Sequence, residues 1–98
     1  MDSPKIERYS HHSEKIKANI ISRLNKIEGQ IRGVKGMIEK DTYCDDVLNQ
    51  ISAAQSALNS VGKMLLEAHV NGCVVNRIKA DDISVVDELM LTVKKLIR

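Results

Sequence analysis

The stretch "YCDDVLNQISAAQSALNSVGKMLLEAHVNGC", residues 43–73, decides the fold, because its apolar positions recur at alternating steps of three and four residues. This spacing places one apolar row along an α-helix and is typical of helices that pair lengthwise. The pattern predicts one long helix that extends past residue 72, to about Ile78. The row consists of Cys44, Val47, Ile51, Ala54, Leu58, Val61, Leu65, Ala68 and Gly72.

Helical spacing continues on both sides of this stretch. A second heptad row, from Ile20 to Ile38, predicts a helix over about residues 14–40, and a third helix is expected from Asp81 or Asp82 onward. Residues 1–13 are polar, contain the single proline, and are predicted to form a flexible N-terminal tail. The sequence therefore predicts an all-α fold, with three helices in one domain over residues 14–98.

Composition excludes several classes of protein. The chain has 98 residues, of which 43% are hydrophobic and only 2% aromatic, so its core must consist mainly of aliphatic side chains, as in helical bundles. Its first residues lack the apolar centre of a secretory leader, and no run of about 18 apolar residues predicts a membrane span. We therefore expect a cytoplasmic protein with reduced cysteines and no membrane partner. The nucleotide-binding and hydrolase motifs GxGxxG, P-loop, GxSxG and HExxH are absent, so no enzyme is predicted.

A cysteine and a cysteine–histidine pair stand at opposite ends of the quoted stretch. His69 and Cys73 are four residues apart and therefore share a helix face. If the helix is unbroken, a rise of 1.5 Å per residue separates Cys44 from His69 by roughly 37 Å. One chain cannot bring all three side chains to one metal ion, but an antiparallel second copy can place its Cys44 beside the pair. We therefore predict a dimer with two symmetry-related sites, each formed by Cys44 of one chain and His69 and Cys73 of the other.

The donor atoms of this predicted site limit the choice of metal. Two thiolates and one imidazole form a soft set that favours Cu(I) or zinc, and three donors suit trigonal Cu(I), whereas zinc normally takes a fourth ligand. His12 of the tail is a possible fourth ligand and would shift the preference toward Ni(II), Co(II) or Zn(II). Simpler interpretations exist, since a cysteine at a heptad position is commonly a small buried hydrophobe and a lone helical histidine is commonly a surface residue.

The chain resembles the CsoR/RcnR family of metal- and stress-sensing transcriptional repressors. The resemblance rests on "RLNKIEGQIRGV" (23–34), "YCDDVLNQISAAQSAL" (43–58) and "HVNGC" (69–73). It implies three-helix protomers that form an antiparallel four-helix-bundle dimer, with dimers pairing into a tetramer. It also implies the metal site between two subunits that the helix length predicts.

Ligand patterns distinguish the sensors of this family. The cysteine–histidine–cysteine set matches copper(I)-sensing members, whereas persulfide-sensing members lack the histidine. Nickel-sensing members have a ligand histidine at the position of His12, so a Ni(II) sensor is the main alternative and a persulfide- or thiol-sensing repressor is another. Tyr43 and Glu88 match residues that surround the copper ligands, where a glutamate can accept the free imidazole N–H of His69.

A candidate DNA-binding surface lies in the first predicted helix. Residues 14–40 carry seven Lys or Arg and three Glu, and no helix-turn-helix, zinc-finger or bZIP pattern occurs. The resemblance implies that the first and second helices bind double-stranded operator DNA in the metal-free form and release it when metal binds. A metal buffer or chaperone with no role on DNA is the alternative class. The candidate DNA-binding residues are Arg23, Lys26, Gln30, Arg32 and Lys35.

Overall fold

A computed structural model of the chain describes residues 12–97. Its elements are α1 (Glu14–Glu39), α2 (Cys44–His69), a π-helical segment (Val70–Val74), α3 (Val75–Lys79) and α4 (Ser84–Leu96). These residues contain no strand, which confirms the predicted all-α class for this part of the chain. Of the predicted tail, positions 1–11 lie outside the described residues. Over residues 12–97, every helix is too short or too polar to span a membrane.

Helix α1 and the first part of α2 form one compact unit, residues 14–64. The turn between them is a Schellman motif, in which the Thr42 N–H donates to the Met37 carbonyl (2.9 Å) and the Asp41 N–H to the Ile38 carbonyl (3.1 Å). Asp41 has the left-handed φ of 56° that this motif requires. The motif ends α1 within one residue of the predicted boundary.

The apolar positions of α2 divide between two rows. Val47 and Val61 are buried, as is Ile27 of α1, and none of these three is more than 6% exposed. By contrast, Leu58 is 52% exposed and Ile51 is 37% exposed. Helix α2 therefore has a buried inner row, with Val47 and Val61, and an accessible outer row. We define the outer row as three members of the heptad row, Cys44, Ile51 and Leu58, together with the exposed Leu48.

The end of α2, the π segment, α3 and α4 form the second compact unit, residues 65–97 together with 12–13. The backbone keeps right-handed helical angles at both ends of the π segment, so helical structure continues to Lys79, close to the predicted end of the second helix. Val74 and Val85 are the buried apolar residues of this unit, with 3% and 0% exposure.

A second Schellman motif closes α3. The Asp82 N–H donates to the Arg77 carbonyl (2.8 Å) and the Asp81 N–H to the Ile78 carbonyl (2.9 Å), and Asp81 has a left-handed φ of 64°. Helix α4 consequently begins at Ser84 rather than at the predicted Asp81 or Asp82. That prediction was wrong because the two aspartates complete the end of the preceding helix.

Candidate metal centre

The three predicted ligands lie at the ends of one helix. Cys44 is the first residue of α2 and is exposed, His69 is the last residue of α2, and Cys73 lies within the π segment. His69 and Cys73 are both partly buried, and neither cysteine is in a disulfide. Since α2 runs without interruption from Cys44 to His69, the predicted helix continuity is confirmed over that range.

The π segment directly follows His69 and includes Cys73. The heptad pattern did not predict it. A π turn widens the helix by making i→i+5 hydrogen bonds, and such turns are frequent at functional sites. Here the Val75 N–H donates to the Val70 carbonyl, five residues back. The wider turn changes the angle at which Cys73 projects relative to His69 from that of a regular α-helix.

Within a single chain, residues 12–97 contain no group of three His, Cys, Asp or Glu side chains placed to hold a metal ion. Tyr43, which precedes the first ligand, is 73% exposed. His12 is partly buried and belongs to the same compact unit as His69 and Cys73.

Glu88 binds a partner that the sequence did not suggest. Its Oε1 lies 3.0 Å from Nη1 of Arg77 in α3, and Arg77 also contacts the Asp82 carboxylate at 2.8 Å. These hydrogen bonds, first to Asp82 and then to Glu88, raise the pKa of Arg77. The pKa of Asp82 is lowered, first by the hydroxyl of Ser84 and then by Arg77. The network ties α4 to the helix that follows the cysteine–histidine pair.

The predicted DNA-binding residues of α1 do not all share one environment. Arg23, Lys26 and Gln30 line a cavity between α1 and α2, whereas Arg32 and Lys35 are exposed and do not line it. The sequence analysis did not identify the other residues that line this cavity. They are Asn19, Ser22, Ile27, Ala57 and Ser60.

Comparison with known families adds an independent observation. A family model described as a metal-sensitive transcriptional repressor matches residues 16–95. The chain belongs to this family. Its members are repressors of transcription and not enzymes, which confirms that prediction for the chain.

Two copper-sensing transcriptional repressors are similar to the chain in sequence. CsoR of Bacillus subtilis, a copper-sensing transcriptional repressor, is 49% identical over 73 residues, 74% of this chain and 72% of its own. RicR of Mycobacterium tuberculosis, also a copper-sensing repressor, is 48% identical over 69 residues, 70% of this chain and 72% of its own.

Two solved structures resemble the described fold. The crystal structure of CsoR with Cu(I) from Geobacillus thermodenitrificans matches with a TM-score of 0.85 and 42% identity, covering 92% of this chain and 95% of that one. The nickel-responsive regulator InrS matches with a TM-score of 0.71 and 30% identity, covering 91% and 98%. The copper-sensing relatives named here are thus more similar to the chain than this nickel-responsive one.

Proposed function

We infer that the chain is a cytoplasmic, Cu(I)-responsive repressor that binds operator DNA when metal-free and releases it when Cu(I) binds. The ligands are Cys44 of one subunit and His69 and Cys73 of another. The continuity of α2 carries this proposal. At 1.5 Å per residue, the helix holds its terminal ligands roughly 37 Å apart in one chain, so a shared site requires a second copy.

The outer row of α2 supports antiparallel pairing. Leu58 follows Cys44 by 14 residues and precedes Cys73 by 15, so it marks the middle of the span between the two thiols. A two-fold axis near Leu58 would place Cys44 of each copy opposite Cys73 of the other. Leu48, Ile51 and Leu58 are 60%, 37% and 52% exposed, which leaves apolar surface available for that contact. We propose that such dimers pair into a tetramer, as the family resemblance implies.

Two thiolates and one imidazole fit Cu(I), which accepts three soft donors. The copper-sensing relatives and the Cu(I)-containing structural match support the same choice. Bound Cu(I) would supply the attraction that holds the ligands of two subunits together. The three side chains would hold that ion, and the Arg77–Glu88 pair connects α3, the helix that follows the segment carrying Cys73, to α4.

The DNA contacts are proposed for the basic side chains of α1, which lie on more than one face of the helix. Arg23, Lys26, Arg32 and Lys35 are exposed, and in a tetramer these charges are repeated four times. Contacts to DNA phosphates would dominate the affinity and make it fall steeply with salt. Gln30 completes the set as the neutral member.

Mixing two inactive variants tests the shared site. Cys44→Ser and Cys73→Ser should each lose high-affinity Cu(I) binding, measured by competition with a Cu(I) chelator. After the two chains are unfolded and refolded together, each mixed dimer regains one intact site, or about a quarter of the wild-type capacity in a random mixture.

The matched control mixes His69→Ala with Cys73→Ser. Both changes affect the same half of the site, so no mixed dimer contains a complete set of ligands and no recovery is expected. Recovery in this control, or its absence in the first mixture, would show that the ligands do not come from two subunits.

A Ni(II) sensor that uses His12 as an additional ligand is the second candidate. The observation in its favour is that His12 falls in the same compact unit as His69 and Cys73. Titration of wild type and His12→Ala with each metal, followed by X-ray absorption, distinguishes the two. Three-coordinate copper unaffected by the substitution supports Cu(I), whereas a nickel site lost in the variant supports the alternative.

A further inference from the structure

Arg77 is the first basic residue after the proposed ligand Cys73. It follows Cys73 by four residues, which is about one helical turn. The backbone keeps right-handed helical angles at Val74 and Val75, between the two residues. Side chains of a helix lean toward its N-terminal end, which directs the Arg77 side chain back over the turn that contains Cys73. Since residues 65–76 contain no Lys or Arg, Arg77 is the cation closest to Cys73 along this helix.

Two carboxylates hold the guanidinium of Arg77 at a defined position. Its Nη2 lies 2.8 Å from Oδ2 of Asp82, and its Nη1 lies 3.0 Å from Oε1 of Glu88. Helix α4, which carries Glu88, also contacts the π segment in which Cys73 lies. Only 28% of the Arg77 side chain is exposed, so water screens its charge less than it screens the charge of an exposed lysine. The structure thus fixes one partly buried positive charge beside the segment of Cys73.

The net charge of the proposed site depends on the metal that it holds. Two thiolates carry two negative charges and the imidazole carries none, so the site keeps one negative charge with Cu(I) and is neutral with a divalent ion. A further histidine ligand such as His12 leaves this count unchanged, because a coordinating imidazole is neutral. A nearby positive charge therefore stabilises the site with Cu(I) more than it stabilises the site with Ni(II), Co(II) or Zn(II).

We propose that Arg77 sets the metal selectivity of the site, because its positive charge favours Cu(I) over divalent ions. The inference rests on the proposed function, since it takes Cys44, His69 and Cys73 as the ligands. Arg77 does not coordinate the metal; it acts through its electric field at the thiolates. The selectivity of the site then has two sources, which are the soft donor atoms and one fixed charge.

The carboxylates that position Arg77 oppose its effect on the metal. Asp82 and Glu88 each carry a negative charge, so removing the guanidinium leaves both uncompensated. Their field then destabilises the negatively charged Cu(I) site, whereas a neutral divalent site is affected little. Removing the charge of Asp82 has the opposite sign, because Glu88 still holds the guanidinium and less of its charge is neutralised. Loss of the Arg77 charge and loss of the Asp82 charge should therefore shift the selectivity in opposite directions.

Selectivity is measured on the full-length protein as the ratio of Cu(I) to Co(II) affinity, with each affinity determined by chelator competition under reducing, oxygen-free conditions. Thiolate-to-Co(II) charge-transfer absorption shows whether the cysteines bind the divalent ion. Across about 8 Å at an effective dielectric constant of about 40, one unit charge changes an affinity about fivefold. Arg77→Met should therefore lower the ratio about fivefold, and Arg77→Lys, which keeps the charge, should retain most of it. Asp82→Asn should raise the ratio by a smaller factor.

Lys79→Met is the matched control. Lys79 belongs to the same short helix as Arg77, and its replacement removes the same charge, but it lies two residues further along, more than half a turn around the helix axis. Lys79 is exposed, so water screens its charge. The ratio of Cu(I) to Co(II) affinity should stay unchanged in this variant. Circular dichroism checks that each variant keeps its helical content, and Arg77→Lys and Asp82→Asn still test the charge if Arg77→Met does not fold.

Equal loss of Cu(I) and Co(II) affinity in Arg77→Met would overturn the proposal, because a purely structural role affects both metals alike. An unchanged ratio in that variant, a lower ratio in Asp82→Asn, or an equal change in Lys79→Met would also overturn it. Cys73→Ser separates this result from the proposed function. If copper binding is lost in Cys73→Ser while the ratio is unchanged in Arg77→Met, only the role of Arg77 is refuted. If Cys73→Ser keeps the wild-type Cu(I) affinity, the proposed ligands are wrong and the selectivity proposal fails with them.

Discussion

Two aspartates, Asp41 and Asp81, occupy the left-handed backbone conformation that closes α1 and α3. Glycine is the usual residue at this position of a Schellman motif, because a Cβ is strained there, although Asp and Asn are tolerated better than other residues. Each aspartate also places negative charge at the C-terminal end of a helix, where the helix dipole disfavours it. Both positions therefore carry two small destabilising effects.

Replacing Asp41 by glycine should stabilise the protein. The relief of strain and of the unfavourable dipole interaction exceeds the extra entropy of glycine in the unfolded chain, for a net gain of about 0.5–1 kcal/mol. Urea unfolding measures the gain. Asp45→Gly is the control with opposite sign, because Asp45 lies in the first turn of α2, where its charge and helix propensity both favour the fold.

The carboxylate of Asp82 should make the free energy of unfolding depend on pH. Its pKa is lowered below its ordinary 3.8, first by the Ser84 hydroxyl and then by Arg77. Its contribution is therefore fully present above that ordinary value and is lost as the pH falls through the lower, folded-state pKa. The raised pKa of Arg77 acts at the opposite extreme, since its contribution is lost only in strong alkali.

Thermal unfolding between about pH 6 and 2 measures this dependence. Asp82→Asn should unfold with a flatter pH profile than wild type, because the titrating group is gone. Ser84→Ala removes the largest cause of the lowered pKa of Asp82, so it should flatten the pH profile in part. An unchanged profile in both variants would show that Asp82 titrates alike in the folded and unfolded states.

The ligand residues stay a prediction, but the helix that positions Cys44 and His69 could be predicted from the sequence more readily than the side chains around them. Helix periodicity can be read directly from the spacing of apolar residues. The partner of Glu88 depends on how α4 approaches α3, and the resemblance suggested His69 whereas the structure gives Arg77. That contact depends on tertiary packing, which residue spacing does not encode. Whether Glu88 also reaches His69 when metal binds stays a prediction.

Helix α2 has one buried apolar face and one exposed apolar face. Val47 and Val61 of its inner row are buried within the chain, while its outer row exposes leucine and isoleucine. Exposed apolar side chains in a continuous row commonly mark a surface for a partner. For this chain the proposed partner is a second copy.

Leu58→Glu should disrupt that pairing without unfolding the compact unit of residues 14–64. Near a two-fold axis the introduced carboxylates of both copies meet in an apolar contact, so the dissociation constant of the dimer should rise about a hundredfold or more. Sedimentation measures the assembly, and circular dichroism measures the retained helix. Ser56→Glu, an exposed change off the outer row, should leave the assembly intact. A dimer that persists in Leu58→Glu would place the interface elsewhere.

Helix boundaries were largely predictable, but the π segment was not. Apolar spacing predicted α1 and the long extent of the second helix, because packing and periodicity agree there. The same spacing placed Gly72 in the apolar row, whereas Val74 is the buried residue. A π turn takes more residues per turn than an α-helix, so it changes which later residues face the core, and the apolar spacing gave no indication of it.

For the whole molecule, the proposed function requires that a metal bound at the ends of α2 alter the DNA contacts of α1. The proposed metal ligands and the proposed DNA contacts share no residue. Any effect of one on the other is therefore a coupling free energy between distinct sites, carried by the assembled subunits. Such coupling must be reciprocal for the two binding equilibria.

The coupling can be measured from both directions. Cu(I) should weaken operator binding by a factor of about 5 to 150, and operator DNA should weaken Cu(I) binding by the same factor. Fluorescence anisotropy with labelled operator measures the first factor. Chelator competition with and without operator measures the second. Both use one fixed salt concentration, because DNA affinity depends steeply on salt. Cys73→Ser should bind operator as the metal-free wild type does and show no response to copper. If operator affinity is the same with and without bound Cu(I), the metal does not regulate DNA binding. That result would contradict the proposed mechanism.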